Sequence, residues 1–475
     1  MTVAQLAAGA AGEDDDLFLG HPKGLAYLAF TEAWERFSFY GMSALLVLYM
    51  VNQLLIPGHI EHVAGFGAFR SMIEGVFGPL STQALASQIF GLYAGFVYFT
   101  PVFGGWLGDR IGQRNAVVIG GLSMSGGHLA MAFDQSFLLA MLLLIIGSGL
   151  LKGNISAQVG GLYPIEDEEG RTRGFAIFST GINFGAVAGP LLCGYLGERY
   201  GWHLGFGAAA VFMLGGVATY LSGYRFLPAR VERKTLAAVA MTADDRKVVV
   251  TLLGVFVITI FPHIAYYQLA NVLPVWLEQH ADMGAGSFQV PIPWFQSIDP
   301  LFSILCLPLL FTLWRWQGRN SGSEPSELKK IGAGAFLCGG ANLILVAAIA
   351  AYGSAKVPWI WPFLFCAVQG VGFMYFWPPF LSLVSRTAPP KINATMMGAA
   401  FLVLFVANNL IGYIGTFYEQ LGPTAFWTLH AAIGATGINS CSPVGPAGYT
   451  GCLSKLIKEA QGERKQQADE ENPPH

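Results

Sequence analysis

Apolar stretches of about 20 residues recur from one end of the chain to the other, separated by short polar breaks, and no other feature narrows the possible folds as far. About 20 residues of helix cross the roughly 30 Å of a bilayer's hydrocarbon. Inside hydrocarbon a backbone must satisfy its own hydrogen bonds, so such runs fold as helices. Twelve candidates stand at residues 24–51, 84–106, 115–133, 137–159, 174–197, 204–223, 247–278, 292–315, 331–352, 358–384, 394–418 and, more weakly, 424–446. Composition agrees: of 475 residues, 53% are hydrophobic and only 12% charged, which excludes an ordinary water-soluble domain. The expectation is an all-α membrane protein with twelve transmembrane helices.

Basic residues set the orientation. Arg110 and Arg114, Arg171 and Arg173, the run from Arg225 to Lys247, Arg315 to Lys330, Arg386 with Lys391, and the C-terminal lysines all follow even-numbered spans. Only Arg70, Arg199 and Lys356 follow odd-numbered ones. The positive-inside rule then puts both termini in the cytoplasm, and a bacterial inner membrane is the expected location. The opening residues carry Glu13 and Asp14–Asp16 where a secretory signal would be basic, so residues 1–23 read as a retained cytosolic tail. Six scattered cysteines lack metal-site spacing and read as packing residues. The formal charge of −3 argues against nucleic acid as a partner.

The longest polar break, Tyr224 to Arg246, divides the chain into a bundle at 24–223 and another at 247–452, six helices each, with a disordered tail at 453–475. A second marker is GGWLGDRIGQR after the second span, with Gly105, Asp109, Arg110 and Arg114. Small residues there let helix ends approach, and the charges cap or pair at the membrane surface. This stretch resembles the loop signature of the major facilitator superfamily, whose fold implies two six-helix bundles with binding near the midplane.

The stretch TEAWERFSFYGMSALLVLYM puts Glu32, Glu35 and Arg36 inside the first span. Their i, i+3, i+4 spacing places them on one helix face, with Glu32 and Arg36 in favourable pairing order. Counting from residue 24, they lie roughly 12–18 Å along the helix. Each buried charge costs about 2.5–3.5 kcal/mol, so the three imply mutual pairing beside a wet cavity. Two acids against one base leave a carboxylate free to titrate. A closed structural ion pair is the alternative.

EAWERFSFYG is similar to the first-helix signature of the proton-dependent oligopeptide transporter family, as are VYFTPVFGGWLGDR, GLLKGNISAQVGGLY, FSTGINFGAVAGPLLCGYLGERYGWHLGFGAA and WFQSIDPLFSILCLP. The resemblance implies proton coupling through Glu32, Glu35 and Arg36. It implies a substrate carboxylate held by Arg36 and Lys152, in a pocket lined by Tyr40, Tyr98 and Asn183. Lys152 has an alternative, reaching to the interface along its own stem, and Asn183, set between glycines, has another as a helix-packing amide.

The chain departs from that family in its second half. Ser43 stands where the family has Arg and Tyr267 where it has Glu, a pair lost together. Phe373 replaces the Glu expected to hold a peptide amine, Trp377 replaces a small polar residue, and Ala400 stands where an aromatic is usual. Asp299, before Pro300, is the counter-change: either a substitute amine partner or a helix N-cap. His263, one turn before Tyr267, is a possible proton relay or a hydrogen-bonded structural residue. Pro443 and Pro446 suggest a last helix that is short, tilted or poorly packed.

The expected function is a proton-coupled importer of di- and tripeptides, working as a monomer in the bilayer by alternating access. The alternatives are the same device with an amine-free anionic cargo, and a non-transporting receptor. No GxSxG, HExxH or phosphate loop is present, so enzyme activity is not expected, nor a metal or other cofactor.

Overall fold

The computed structural model of the protein describes residues 17–164, 167–228, 243–389 and 392–441. The expectations for residues 1–16, for most of the linker and for the tail at 453–475 lie outside the described residues, as do Pro443, Pro446 and Cys452.

Helices make up nearly all of what is described. In order they are α1 (Gly24–Tyr49), α2 (Phe66–Phe77), α3 (Thr82–Phe99), α4 (Pro101–Ile111), α5 (Gln113–Ala130), α6 (Phe137–Gly161), α7 (Glu168–Tyr200) and α8 (Trp202–Ser222). Then come α9 (Ala243–Asn271), α10 (Leu273–His280), α11 (Phe295–Ser321), α12 (Glu327–Tyr352), α13 (Ile360–Thr387), α14 (Asn393–Gly415) and α15 (Tyr418–Cys441). Among the described residues ten stretches are long and apolar enough to cross a membrane, α3 and α4 counting as one. The polar starts of α5 and α15 leave them less apolar, and these two complete the twelve.

Breaks fall where the backbone chemistry requires them. Pro101 lacks an N–H and sits at the first position of α4, so the second span bends at Thr100, whose hydroxyl donates to the Ile145 carbonyl at 3.0 Å. The expected span 247–278 is two helices, because α9 ends at Asn271 and α10 restarts with Pro274 in its first turn.

The chain divides into two compact units, one of Met1–Leu45, Gly58–Gly67 and Thr100–Arg233, the other of Leu46–Pro57, Ala68–Phe99 and Lys234–His475. Helix α3 belongs to the second because its small residues let α14 approach closely. A Cβ on Gly91 would lie 2.5 Å from the Gly412 Cα. Around that crossing Asn271 donates to Ser87 Oγ at 2.7 Å and Gln83 to the Gly415 carbonyl at 3.3 Å. Amides and hydroxyls buried in hydrocarbon are satisfied across helices in this way.

The last helix corrects the expectation of weak packing. Helix α15 runs 24 residues, with a bend at Gly422 and Pro423. Its Gly434 meets Gly339 of α12 so closely that a Cβ there would lie 2.5 Å from the Gly339 Cα. Phe426 and Trp427 are fully buried, the Trp427 ring lying 5.7 Å from Phe365 and 6.5 Å from Trp276. Trp427→Ala is therefore expected to cost about 3–5 kcal/mol and to lower the thermal unfolding midpoint in detergent. An unchanged midpoint would show that α15 contributes little to the core.

Candidate functional site

Helix α7 carries Gly181, Gly185 and Gly189, four residues apart and so on one face. Cβ atoms there would lie 2.6, 2.5 and 2.4 Å from the carbonyls of Ala29, Ala33 and Phe37 on α1. Only glycine allows this contact, and it seats α1 along about two turns. On the other flank Trp34 and Phe37 pack against Phe212 of α8, with centroids 5.3 and 4.1 Å apart. The charged face of α1 is thereby held by backbone contact rather than by side chains that can swing.

On that face the Arg36 Nε lies 3.0 Å from Glu32 Oε1 and 2.5 Å from Glu35 Oε2, all three residues being buried. The Phe39 ring, one turn on, takes the Arg36 guanidinium at 5.4 Å and the Lys152 ammonium of α6 at 4.6 Å. The Lys152 Nζ is buried, so it does not reach to the interface. Two acids and two bases therefore share one buried cluster. Lys152 brings a second basic group beside the two acids. Phe39 continues the i, i+4 stripe from Glu35 that the helical spacing of the sequence marks, and the structure makes it the ring that both cations cover.

The other expected pocket residues are less tightly drawn in. Tyr40 is half-buried with its ring edge-on to Phe39 at 5.2 Å. Asn183 is half-buried and lies on the side of α7 away from the glycine contact, which leaves no role as a packing amide against α1. Tyr98 is half-buried at the end of α3, in the second unit.

The loop between α4 and α5 is built differently from the expectation. Gly105 faces open space. The close approaches belong to Gly104, where a Cβ would be 2.0 Å from the Gly149 carbonyl, and to Gly108, 1.9 Å from Asn154 Oδ1. Asn154 clamps this crossing by donating to the Gly104 carbonyl at 2.9 Å. Gly112, at φ 88°, turns the chain into α5. Asp109 accepts from Gln113 at 3.3 Å, Arg110 lies 3.9 Å over Trp106, and Arg114 donates to the Leu227 carbonyl while covering the Tyr224 ring at 4.7 Å.

In the second unit, Asp299 is the fifth residue of α11, whose N-cap position is Trp294, so it does not cap the helix. Tyr266 of α9 donates to Asp299 Oδ2 at 2.6 Å, while Oδ1 is buried without a hydrogen-bond partner. Phe373 stacks on Tyr266 at 5.1 Å. Trp377 packs at 5.9 Å on Phe401, next to the fully buried Ala400. His263 stacks on Tyr267 at 5.3 Å, and neither of its ring nitrogens has a hydrogen-bond partner. Neither the relay nor the hydrogen-bonded structural role has a donor or acceptor beside His263 here. Ser43, in the first unit, is buried with its hydroxyl unpartnered, and Tyr267 stacks on Phe90 at 6.2 Å.

The model of the Major Facilitator Superfamily matches residues 29–412. The protein named Uncharacterized transporter YclF, of Bacillus subtilis (strain 168), is 30% identical over 86% of this chain and 91% of its own length. A di-/tripeptide transporter of Lactococcus lactis subsp. cremoris is 28% identical over 88% and 94%. Among solved structures, a mutant of a peptide transporter POT in complex with alafosfalin superposes with a TM-score of 0.79 at 26% identity, over 93% of this chain and 96% of that one.

Proposed function

The chain belongs to the major facilitator superfamily and, within it, to the proton-dependent oligopeptide transporter family, and on that premise we propose that it imports di- and tripeptides together with protons by alternating access. It is an integral membrane protein of a transporter family that takes small-molecule substrates. The inner membrane of a bacterium, cytoplasmic termini and a monomeric working state belong to the same proposal.

The observation that carries it is the balanced cluster of Glu32, Glu35, Arg36 and Lys152. A buried group of two acids and two bases is electrically neutral. A substrate carboxylate that binds Arg36 or Lys152 brings one further negative charge into a site of low dielectric. One proton, taken by a glutamate released from its cation, restores neutrality. Binding of the anion and binding of the proton then favour each other, which is the thermodynamic condition for symport. Tyr40 and Asn183 are proposed as neutral lining of the same pocket, and Tyr98 as a substrate contact of the second unit.

Uptake of labelled dialanine into proteoliposomes with an inward proton gradient tests the reading. With one proton per peptide, a gradient of about one pH unit supports roughly tenfold accumulation. Glu32→Gln is expected to abolish accumulation. Folded, inserted protein that accumulates no dialanine would sink the peptide assignment. The stacking of Phe373 on Tyr266, where the family has an acid for the amine, would then direct the search to amine-free anions.

A further inference from the structure

We propose that Asp299, hydrogen-bonded by Tyr266, is a second proton-binding site, which carries in the C-terminal half the acid that the helix of Tyr267 lacks. The inference rests on the proton-coupled reading above but not on the identity of the cargo.

Asp299 is the one buried acid among the described residues of the second unit. Its surroundings are neutral. The titratable groups facing it are Tyr266 on α9, Cys306 on its own helix, Cys338 on α12 and Cys366 on α13, with His263 one ring away, 5.8 Å from Tyr266. No lysine, arginine or histidine pairs with it among the described residues. A carboxylate there would hold a full charge against one hydroxyl donor, with Oδ1 unsolvated. Removing the charge by protonation is the inexpensive way to bury such a group, since no cation compensates it.

The same geometry explains why the group is not simply an inert acid. Tyr266 also belongs to the ring cluster of Tyr267, Phe373 and His263, so the cover over Asp299 is made of side chains that can part without breaking an ion pair. In the covered state the proton stays on the carboxyl. When the cover opens to water on the cytoplasmic side, the carboxylate is solvated and the proton leaves to the cytoplasm. Ionisable groups within membrane spans mark ion pathways and proton relays.

The test uses the full-length protein in liposomes and has two arms. Infrared difference spectra between high and low pH should show a protonated-carboxyl C=O band that disappears in Asp299→Asn, a near-isosteric change, and shifts in Tyr266→Phe as the hydrogen bond is lost. In the second arm, Asp299→Asn should retain counterflow exchange of dialanine within about twofold. Its gradient-driven accumulation should fall by about tenfold per pH unit of gradient for the proton no longer carried. A spectrum without such a band, or with a band unchanged in Asp299→Asn, overturns the proposal. Loss of exchange with a raised KM for dialanine, the band persisting only with substrate bound, also overturns it, because Asp299 would then be an amine contact. If the native protein moves no dialanine, the peptide reading fails, and the infrared arm alone still decides the state of Asp299.

Discussion

Arg36→Ala is expected to destabilise the protein by about 3–5 kcal/mol and to abolish accumulation of substrate. The guanidinium is the direct partner of both Glu32 and Glu35, at 3.0 and 2.5 Å, and all three residues are buried. Removing it leaves two buried carboxylates with only Lys152, which lies over Phe39, to offset them. The cost is that of uncompensated charge rather than of lost packing, and this distinction is measurable. Glu35→Gln added to Arg36→Ala should recover most of the thermal unfolding midpoint, because one of the stranded charges is gone. It should recover no transport, because the cation that exchanges between glutamate and substrate is still absent. A single mutant with an unchanged midpoint would mean that water solvates the cluster, and the neutrality argument for coupling would fall with it.

Gly185→Val should be nearly as damaging, through geometry alone. A single Cβ at this position would stand 2.5 Å from the Ala33 carbonyl and 2.6 Å from Arg36 Cβ, and valine adds two more methyls in the same gap. Overpacking of this kind costs about 1–3 kcal/mol, and here the obstructing atoms are backbone, which cannot turn aside. α1 must move away from α7, and Arg36 moves with it. Uptake should fall by at least about tenfold, the effect of a 1.4 kcal/mol loss in the productive arrangement. Gly105→Ala is the matching control: its Cβ points into open space, and both midpoint and uptake should stay within error of the native protein. Equal behaviour of the two variants would remove the argument that glycine contact positions the charged face.

These two predictions differ in how far they were legible. Arg36 and its acids are three and four positions apart on one helix, and helical periodicity alone joins them. The same periodicity marks Gly181, Gly185 and Gly189 as one stripe, but not what the stripe touches. Its partner lies some 150 residues earlier, and a stripe of small residues is equally compatible with a neighbour on any side. The loop motif shows the limit plainly. GGWLG offers three glycines, and Gly105 stands between the two that carry the crossing. A shift of one position turns a helical residue by about 100°, so only the docked neighbour α6 separates a contact glycine from an exposed one.

Asp299 and Lys152 make the same point for charge. Sequence left Asp299 between an N-cap and a cavity acid because the start of α11 was not defined to within a turn. The preceding 3₁₀ turn, Ile292–Trp294, moves that start upstream and leaves the carboxyl inside the helix, next to a tyrosine 33 residues earlier. Lys152, with a long flexible stem, had two destinations that cost about the same by depth alone, and the Phe39 face decided between them.

The sequence by itself determined the twelve helices, the membrane and the charged triad of α1, because each rests on hydrophobic length or on neighbours within one helical turn, while the family was legible only as a resemblance of motifs. The tertiary structure alone decided that Lys152 joins the triad at Phe39, that glycine backbone contact seats it, and that Asp299 stands with Tyr266 and with no cation among the described residues. Those outcomes depend on which helix faces meet, and meeting faces are chosen by packing across distant segments that no local period encodes.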